Sequence, residues 1–233
     1  MSVSASTVQG GLRRVLGELR RACARAGRAE DAARLVAVSK RQPVADIRAA
    51  LAEGQRDFGE NYAQELRDKA RDLADEPALR WHYIGPLQRN KTKYVVGIAA
   101  LVHAVDSAKL LHAIEARAAA LGVVQDVLIQ VNLAGEDRKS GLAEDELQPL
   151  AAEFAETPHV RLRGLMLMPP WDPDPEAARP LFRRLAALRD ELASAEAVEL
   201  SMGMSHDFHV AVEEGATLVR VGTAIFGERQ SPQ

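Results

Sequence analysis

Lys40 closes a short apolar run, Leu35-Val36-Ala37-Val38-Ser39-Lys40, where a buried strand would open toward solvent. Burial disfavours an ammonium ion, and a neutral lysine amine is a nucleophile toward aldehydes. A strand-ending lysine that simply reaches water is the plainer alternative. Two later segments carry a different chemistry. Ser201-Met202-Gly203-Met204-Ser205 follows an apolar run at 198–201, and Arg220-Val221-Gly222-Thr223 closes another at 218–222. Glycines let backbone N–H groups approach an anion, and the hydroxyls of Ser201, Ser205 and Thr223 add donors. Small residues also suit tight turns, so either segment alone is ambiguous.

The elements that must position these residues alternate. Val8, Leu12, Val15, Leu16 and Leu19 fall on one helical face. Apolar runs at 35–38, 57–61, 81–85, 101–105, 127–132, 162–168, 198–201 and 218–222 read as strands. Helical patterns lie between them: 43–54 with Pro43 in its first turn, 62–73, one opening at Asp106 or Ser107, and one through Leu181, Leu185, Leu188 and Leu192. Strands alternating with helices in this number predict an α/β fold, a single (β/α)8 TIM barrel over 35–227. Residues 1–34 form an N-terminal helix and lead-in, so 1–233 is one domain. A doubly wound open sheet is the alternative. In a barrel the C-terminal strand ends meet at one pocket. Lys40, Asn61, Gly85, Asn132, Met168, Ser201 and Gly222 then share one site, and the loops after strands seven and eight hold phosphate.

A phosphate cradle opposite a nucleophilic lysine suits pyridoxal 5′-phosphate, which offers both an aldehyde and a phosphate. It also suits an aldolase acting on a sugar phosphate. Ordered motifs narrow the choice: Ala37-Val38-Ser39-Lys40, Phe58-Gly59-Glu60-Asn61-Tyr62, Trp81-His82-Tyr83-Ile84-Gly85-Pro86-Leu87-Gln88, Lys139-Ser140-Gly141, Arg163-Gly164-Leu165-Met166, and the two phosphate segments. From about Leu35 to Gly227 the chain resembles the pyridoxal phosphate homeostasis protein family. The resemblance implies a barrel like the N-terminal domain of alanine racemase (fold type III) and a Schiff base at Lys40. It implies phosphate contacts at Ser201, Gly203, Ser205, Gly222 and Thr223, with Arg220 at the pyridine nitrogen and Asn61 beside the ring. Arg41-Gln42 and Leu167-Met168-Pro169-Pro170-Trp171 depart from the family without removing a contact. An always-charged guanidinium at the ring nitrogen disfavours its protonation and weakens the electron sink. A structural pairing of Arg220 with Glu213 or Glu228 is the alternative.

Other residues carry less. His82 and His103 read as hydrogen-bonded core, and no cluster has metal spacing. His206 and His209 read as surface, as do the charged helices around 67–75 and 183–191. Lys139 is the runner-up lysine and a candidate second cofactor contact. The lone Cys23 excludes an internal disulfide. A net charge of −3 gives no reason to expect nucleic acid or an anionic membrane. No secretory signal or membrane span is visible, so a cytoplasmic location is expected. A racemase needs a second acid/base, which a further domain supplies in alanine racemase. Residues 228–233 are all that follow Gly227, so no such domain is expected. The expectation is therefore a monomeric protein that binds the cofactor and hands it to apoenzymes. An amino-acid racemase is the alternative.

Overall fold

A computed structural model describes residues 5–135, 140–192 and 194–227. The order is α1 (Ala5–Arg25), β1 (Arg34–Val38), α2 (Val44–Ala52), β2 (Asp57–Glu60), α3 (Ala63–Asp72), β3 (Arg80–Tyr83), β4 (Ala99–Val105), α4 (Ala108–Leu121) and β5 (Gln125–Val131). Then come α5 (Leu147–Ala152), β6 (Val160–Leu167), α6 (Arg179–Asp190), β7 (Glu199–Met204), α7 (Phe208–Glu213), β8 (Leu218–Val221) and α8 (Thr223–Phe226). A 3-10 helix, Arg89–Tyr94, replaces an α-helix between β3 and β4. The strands are parallel and close in sequence order, β8 returning to β1 with Arg34 opposite Leu218 and Ala37 opposite Val221. This is the expected (β/α)8 barrel with an extra N-terminal helix.

Successive strand residues face opposite sides. Leu35 and Ala37 join the large core between sheet and helices. Val36 instead clusters with Leu101, Leu128, Met166 and Leu218 inside the barrel. The interior is not wholly apolar, since His82, His103, Ser201 and Arg220 are also buried. At the strand starts, opposite charges pair: Arg34 with Glu199, Arg80 with Asp57, and Arg161 with Asp126. No helix among the described residues is long and apolar enough to cross a membrane.

Local chemistry sets the helix ends. The Ser107 side chain accepts from the Leu110 N–H at the start of α4, and Gly122 ends that helix at φ 65°. Strand seven differs from the sequence expectation. It runs on to Met204 rather than stopping at Ser201, with Met204 opposite Arg220 after a register shift. Gly203 read as a turn residue, but it serves a close approach. A Cβ there would lie 2.6 Å from the Ala211 Cβ and 2.8 Å from the Phe208 Cα, at a φ of +90°.

α1 buries Val8, Leu12, Val15 and Leu19 along one face. A Cβ on Gly11 would lie 2.7 Å from the Ile225 carbonyl oxygen and 2.9 Å from that of Ala224. Arg14 Nη2 donates to the Ala224 carbonyl at 2.9 Å. The first helix therefore seats the short helix that follows β8. Glycine-to-alanine changes ordinarily stabilise a helix by about 1 kcal/mol. Gly10→Ala, with nothing within 4 Å of its added Cβ, should follow that rule. Gly11→Ala should instead destabilise by about 1–3 kcal/mol through overpacking. Paired denaturant titrations check this, and equal shifts for the two variants would contradict the seating of α8 by α1.

Candidate functional site

The C-terminal strand ends enclose a cavity of about 300 Å3 whose wall contains Lys40, Asn61, Ser205, Arg220, Gly222 and Thr223. Val38, Ile84, Met166, Met168 and Met204 give it an apolar lining. Trp171 and His206 also line it; both are exposed, with ring centroids 6.5 Å apart, and they form its rim. His206 Nε2 lies 3.0 Å from the Pro173 carbonyl oxygen. Ser201 and Gly203 are not on the wall. Lys139 and Glu228 lie outside the described residues.

Lys40 is half-buried, just past the end of β1. The turn that carries it is held on both sides. Lys69 Nζ donates to the Ser39 carbonyl, Glu60 Oε1 and Glu65 Oε1, each at 2.7 Å. Ser39 Oγ donates to Glu60 Oε1 at 2.7 Å, and the Arg41 N–H donates to Glu65 Oε1 at 2.6 Å. Arg41 sits at φ 60°, a left-handed conformation uncommon outside glycine. These contacts hold it there. Lys69 corrects the sequence expectation of a solvent face over 67–75: it is buried and pairs inward. The Glu65–Lys69 spacing of four residues was the available signal. Glu60 had none beyond its place before Asn61.

Asn61 follows β2. Its Oδ1 is buried without a hydrogen-bond partner. Its carbonyl accepts from the Tyr83 hydroxyl at 3.1 Å, and that hydroxyl also lies 3.0 Å from the Pro86 carbonyl. Burial pushes the Tyr83 phenol up to about 12. Gly85 is required here, because a Cβ would come within 2.3 Å of the Asn61 carbonyl oxygen.

Arg220 projects from β8 with its guanidinium buried. Nη1 donates to Ser201 Oγ at 2.6 Å and Nη2 to the Leu167 carbonyl at 2.9 Å. Burial lowers its pKa to about 10, partly offset by Asp207, so it remains a cation at neutral pH. The alternative pairing with Glu213 does not occur, because Glu213 binds Arg179. Ser201, expected as a phosphate donor at a strand exit, lies deeper because β7 is longer, and its hydroxyl is taken by Arg220 and His103. Of the other residues expected to contact phosphate, Ser205 is exposed, while Gly222 and Thr223 open α8, whose first N–H groups lack partners within the helix. Asp207 Oδ1 accepts from the Met204 N–H at 2.6 Å and pins the loop leading to Ser205. The sequence motifs did not point to Asp207, and they contained Tyr83 without giving it a role.

Glu60 generates a pH dependence. Burial outweighs the attraction of Lys69, and with repulsion from Glu65 it raises the carboxyl from 4.5 to about 7. A native pKa above the unfolded one means the folded state binds the extra proton. Its stabilisation is complete below about pH 4.5 and is lost as pH rises through about 7, up to about 3 kcal/mol in all. Glu60→Gln should flatten the fall in denaturant stability between about pH 5 and about pH 8. Parallel slopes for variant and wild type would show that Glu60 is ionised throughout.

The profile of the family described as "Alanine racemase, N-terminal domain" matches residues 16–230. The chain is 47% identical over 222 residues to a pyridoxal phosphate homeostasis protein of Aquifex aeolicus, covering 94% of this chain and 97% of that one. It is 44% identical over 229 residues to the protein of that name from Vibrio cholerae, covering 96% and 97%. Among solved structures, PipY of Synechococcus elongatus with pyridoxal phosphate bound has a TM-score of 0.83 at 35% identity, covering 94% of this chain and 100% of that one. Alanine racemase of Corynebacterium glutamicum shares the fold at a TM-score of 0.71 and 20% identity, covering 97% of this chain and 62% of that one. With its closed parallel barrel and a lysine-lined cavity at the strand ends, the chain belongs to the alanine racemase N-terminal domain family, and within it to the pyridoxal phosphate homeostasis proteins.

Proposed function

We propose that this chain binds pyridoxal 5′-phosphate in the barrel cavity as a Schiff base of Lys40, and holds it for delivery to apoenzymes. The observation that carries this is the convergence of Lys40, Asn61, Arg220, Ser205, Gly222 and Thr223 on one cavity of about 300 Å3. The residues fit the group. Asn61 Oδ1, buried and unpartnered, offers an acceptor that a polar ligand would satisfy. The pyridoxal phosphate bound to PipY and the names of the relatives support the same reading.

When bound, the cofactor supplies an electrophilic aldehyde and an electron-withdrawing ring. Lys40 Nζ, on the cavity wall, would be the amine that holds the aldehyde carbon covalently, with water as the leaving group. Ser205 and Thr223 hydroxyls, with the backbone at Gly222 and Thr223, receive the phosphate. Gly203 acts by letting β7 lie close on α7, and Ser201 acts through Arg220. Arg220, a cation on the cavity wall, would hold the ring nitrogen and disfavour its protonation. Holding is favoured over racemisation because Tyr83 does not line the cavity, and its hydroxyl engages the Asn61 and Pro86 carbonyls and stays protonated up to about 12. That makes it a poor second acid/base.

The test is the visible spectrum of the purified protein with added pyridoxal 5′-phosphate. Wild type should show an imine band that borohydride abolishes while fixing the cofactor on the Lys40 peptide. Lys40→Ala should show neither. Absence of the band in wild type would end this reading, and enzyme-like turnover of L- or D-alanine would favour the racemase.

A further inference from the structure

A chain of buried polar contacts runs from Arg220 through the barrel interior to the opposite face. Arg220 Nη1 lies 2.6 Å from Ser201 Oγ, which lies 2.8 Å from His103 Nδ1. His103 Nε2 lies 2.9 Å from His82 Nδ1, and His82 Nε2 lies 2.9 Å from Asp57 Oδ1. Arg80 ends the chain with a two-pronged contact to Asp57, 2.7 Å to each oxygen. The members come from β8, β7, β4, β3 and β2. Arg220, Ser201, His103, His82 and Asp57 are all buried.

With both rings neutral, the direction of every proton follows from the ends. A guanidinium only donates, and an ionised carboxylate only accepts. Ser201 therefore accepts from Arg220 and turns its own proton to His103 Nδ1. His103 then carries its proton on Nε2 and donates to His82 Nδ1. His82 in turn carries its proton on Nε2 and donates to Asp57. The end groups behave as this requires. Burial alone would raise the Asp57 carboxyl, but hydrogen bonds from His82 and Arg80 more than reverse that and keep it ionised. Burial, then His82, Arg220 and Arg34, hold His103 well below the ordinary histidine range, so it is neutral. Arg34 is itself paired with Glu199. Asp207 acts on Arg220 through its charge, and Val36, Leu101, Leu128, Met166 and Leu218 add an apolar cluster inside the barrel.

We propose that His103 and His82 are positioning residues for the ring end of the cofactor: they hold Ser201 in a single hydrogen-bonding polarity, so that Arg220 is a fixed donor toward the cavity. The proposal rests on pyridoxal 5′-phosphate binding as argued above. Without the chain, the Ser201 hydroxyl could rotate, and the guanidinium would lose an acceptor that fixes its plane. The chain is also long-range: a change at Asp57, near the strand starts, would be felt at the opposite face.

Two measurements on the full chain test this. The first needs no variant and no cofactor. The ring nitrogens of His103, followed by nitrogen NMR in wild type, should report a neutral Nε2–H tautomer through neutral pH. The second adds pyridoxal 5′-phosphate. Ser201→Ala and His103→Leu should each raise its dissociation constant about tenfold while the Lys40 imine still forms. The bound spectrum, independent of pH in wild type, should become pH-dependent in both. His103→Gln, which keeps a donor and an acceptor, should recover most of the affinity. A His103 that titrates near its ordinary value, or carries its proton on Nδ1, overturns the proposal. So does wild-type affinity with an unchanged spectrum in Ser201→Ala. If wild type takes up no cofactor, the binding reading falls and the proposal with it, whereas normal uptake with either failure above overturns the chain alone.

Discussion

A guanidinium buried inside a parallel barrel must be grounded, and much of this molecule is arranged around that demand. Removing a charge from water is costly unless hydrogen bonds and an opposite charge compensate. Arg220 finds a carbonyl on β6 and a hydroxyl on β7. The carboxylate whose charge acts on it is Asp207, while the Ser201–His103–His82 chain leads away from it to Asp57, which is itself paired with Arg80. That arrangement leaves the cavity side of the cation available. It also explains why an interior that could be wholly apolar admits two histidines and a serine.

Lys40 is served by a separate ionic device. Lys69, Glu60 and Glu65 bind the backbone on both sides of it, so the lysine departs from a fixed turn. The two devices share no residue, and the cavity lies between them. The third support is mechanical: α1 packs so tightly on α8 that Gly11 has no room for a methyl group. Packed elements thus set the wall, and Trp171 and His206 stand exposed at its rim.

The barrel was legible because each strand is a short apolar run and each helix has a one-sided face. The strand ends were legible where a charged or amide residue stops the run, as at Lys40 and Asn61. Strand seven was not, because Met202-Gly203-Met204 mixes apolar residues with a glycine that looks like a turn. Gly203 is instead a contact with α7, which only the packed structure reveals. That error of three residues moved Ser201 from the cavity wall to a place beneath Arg220. Lys69 was lost for a related reason: a charged helical stretch reads as solvated until its partner, from a strand, is known. The relay could not be seen at all, since its members come from five strands and contact order in space does not follow order in sequence.

The cavity wall takes residues from both the first strand and the last, since β1 and β8 are neighbours in the closed barrel. During synthesis, then, Lys40 emerges long before Arg220, Gly222 and Thr223. A partly made chain displays the amine without the wall residues that β8 and α8 bring. Barrel closure therefore acts as a checkpoint in time, because the cavity wall is complete only once β8 has docked on β1.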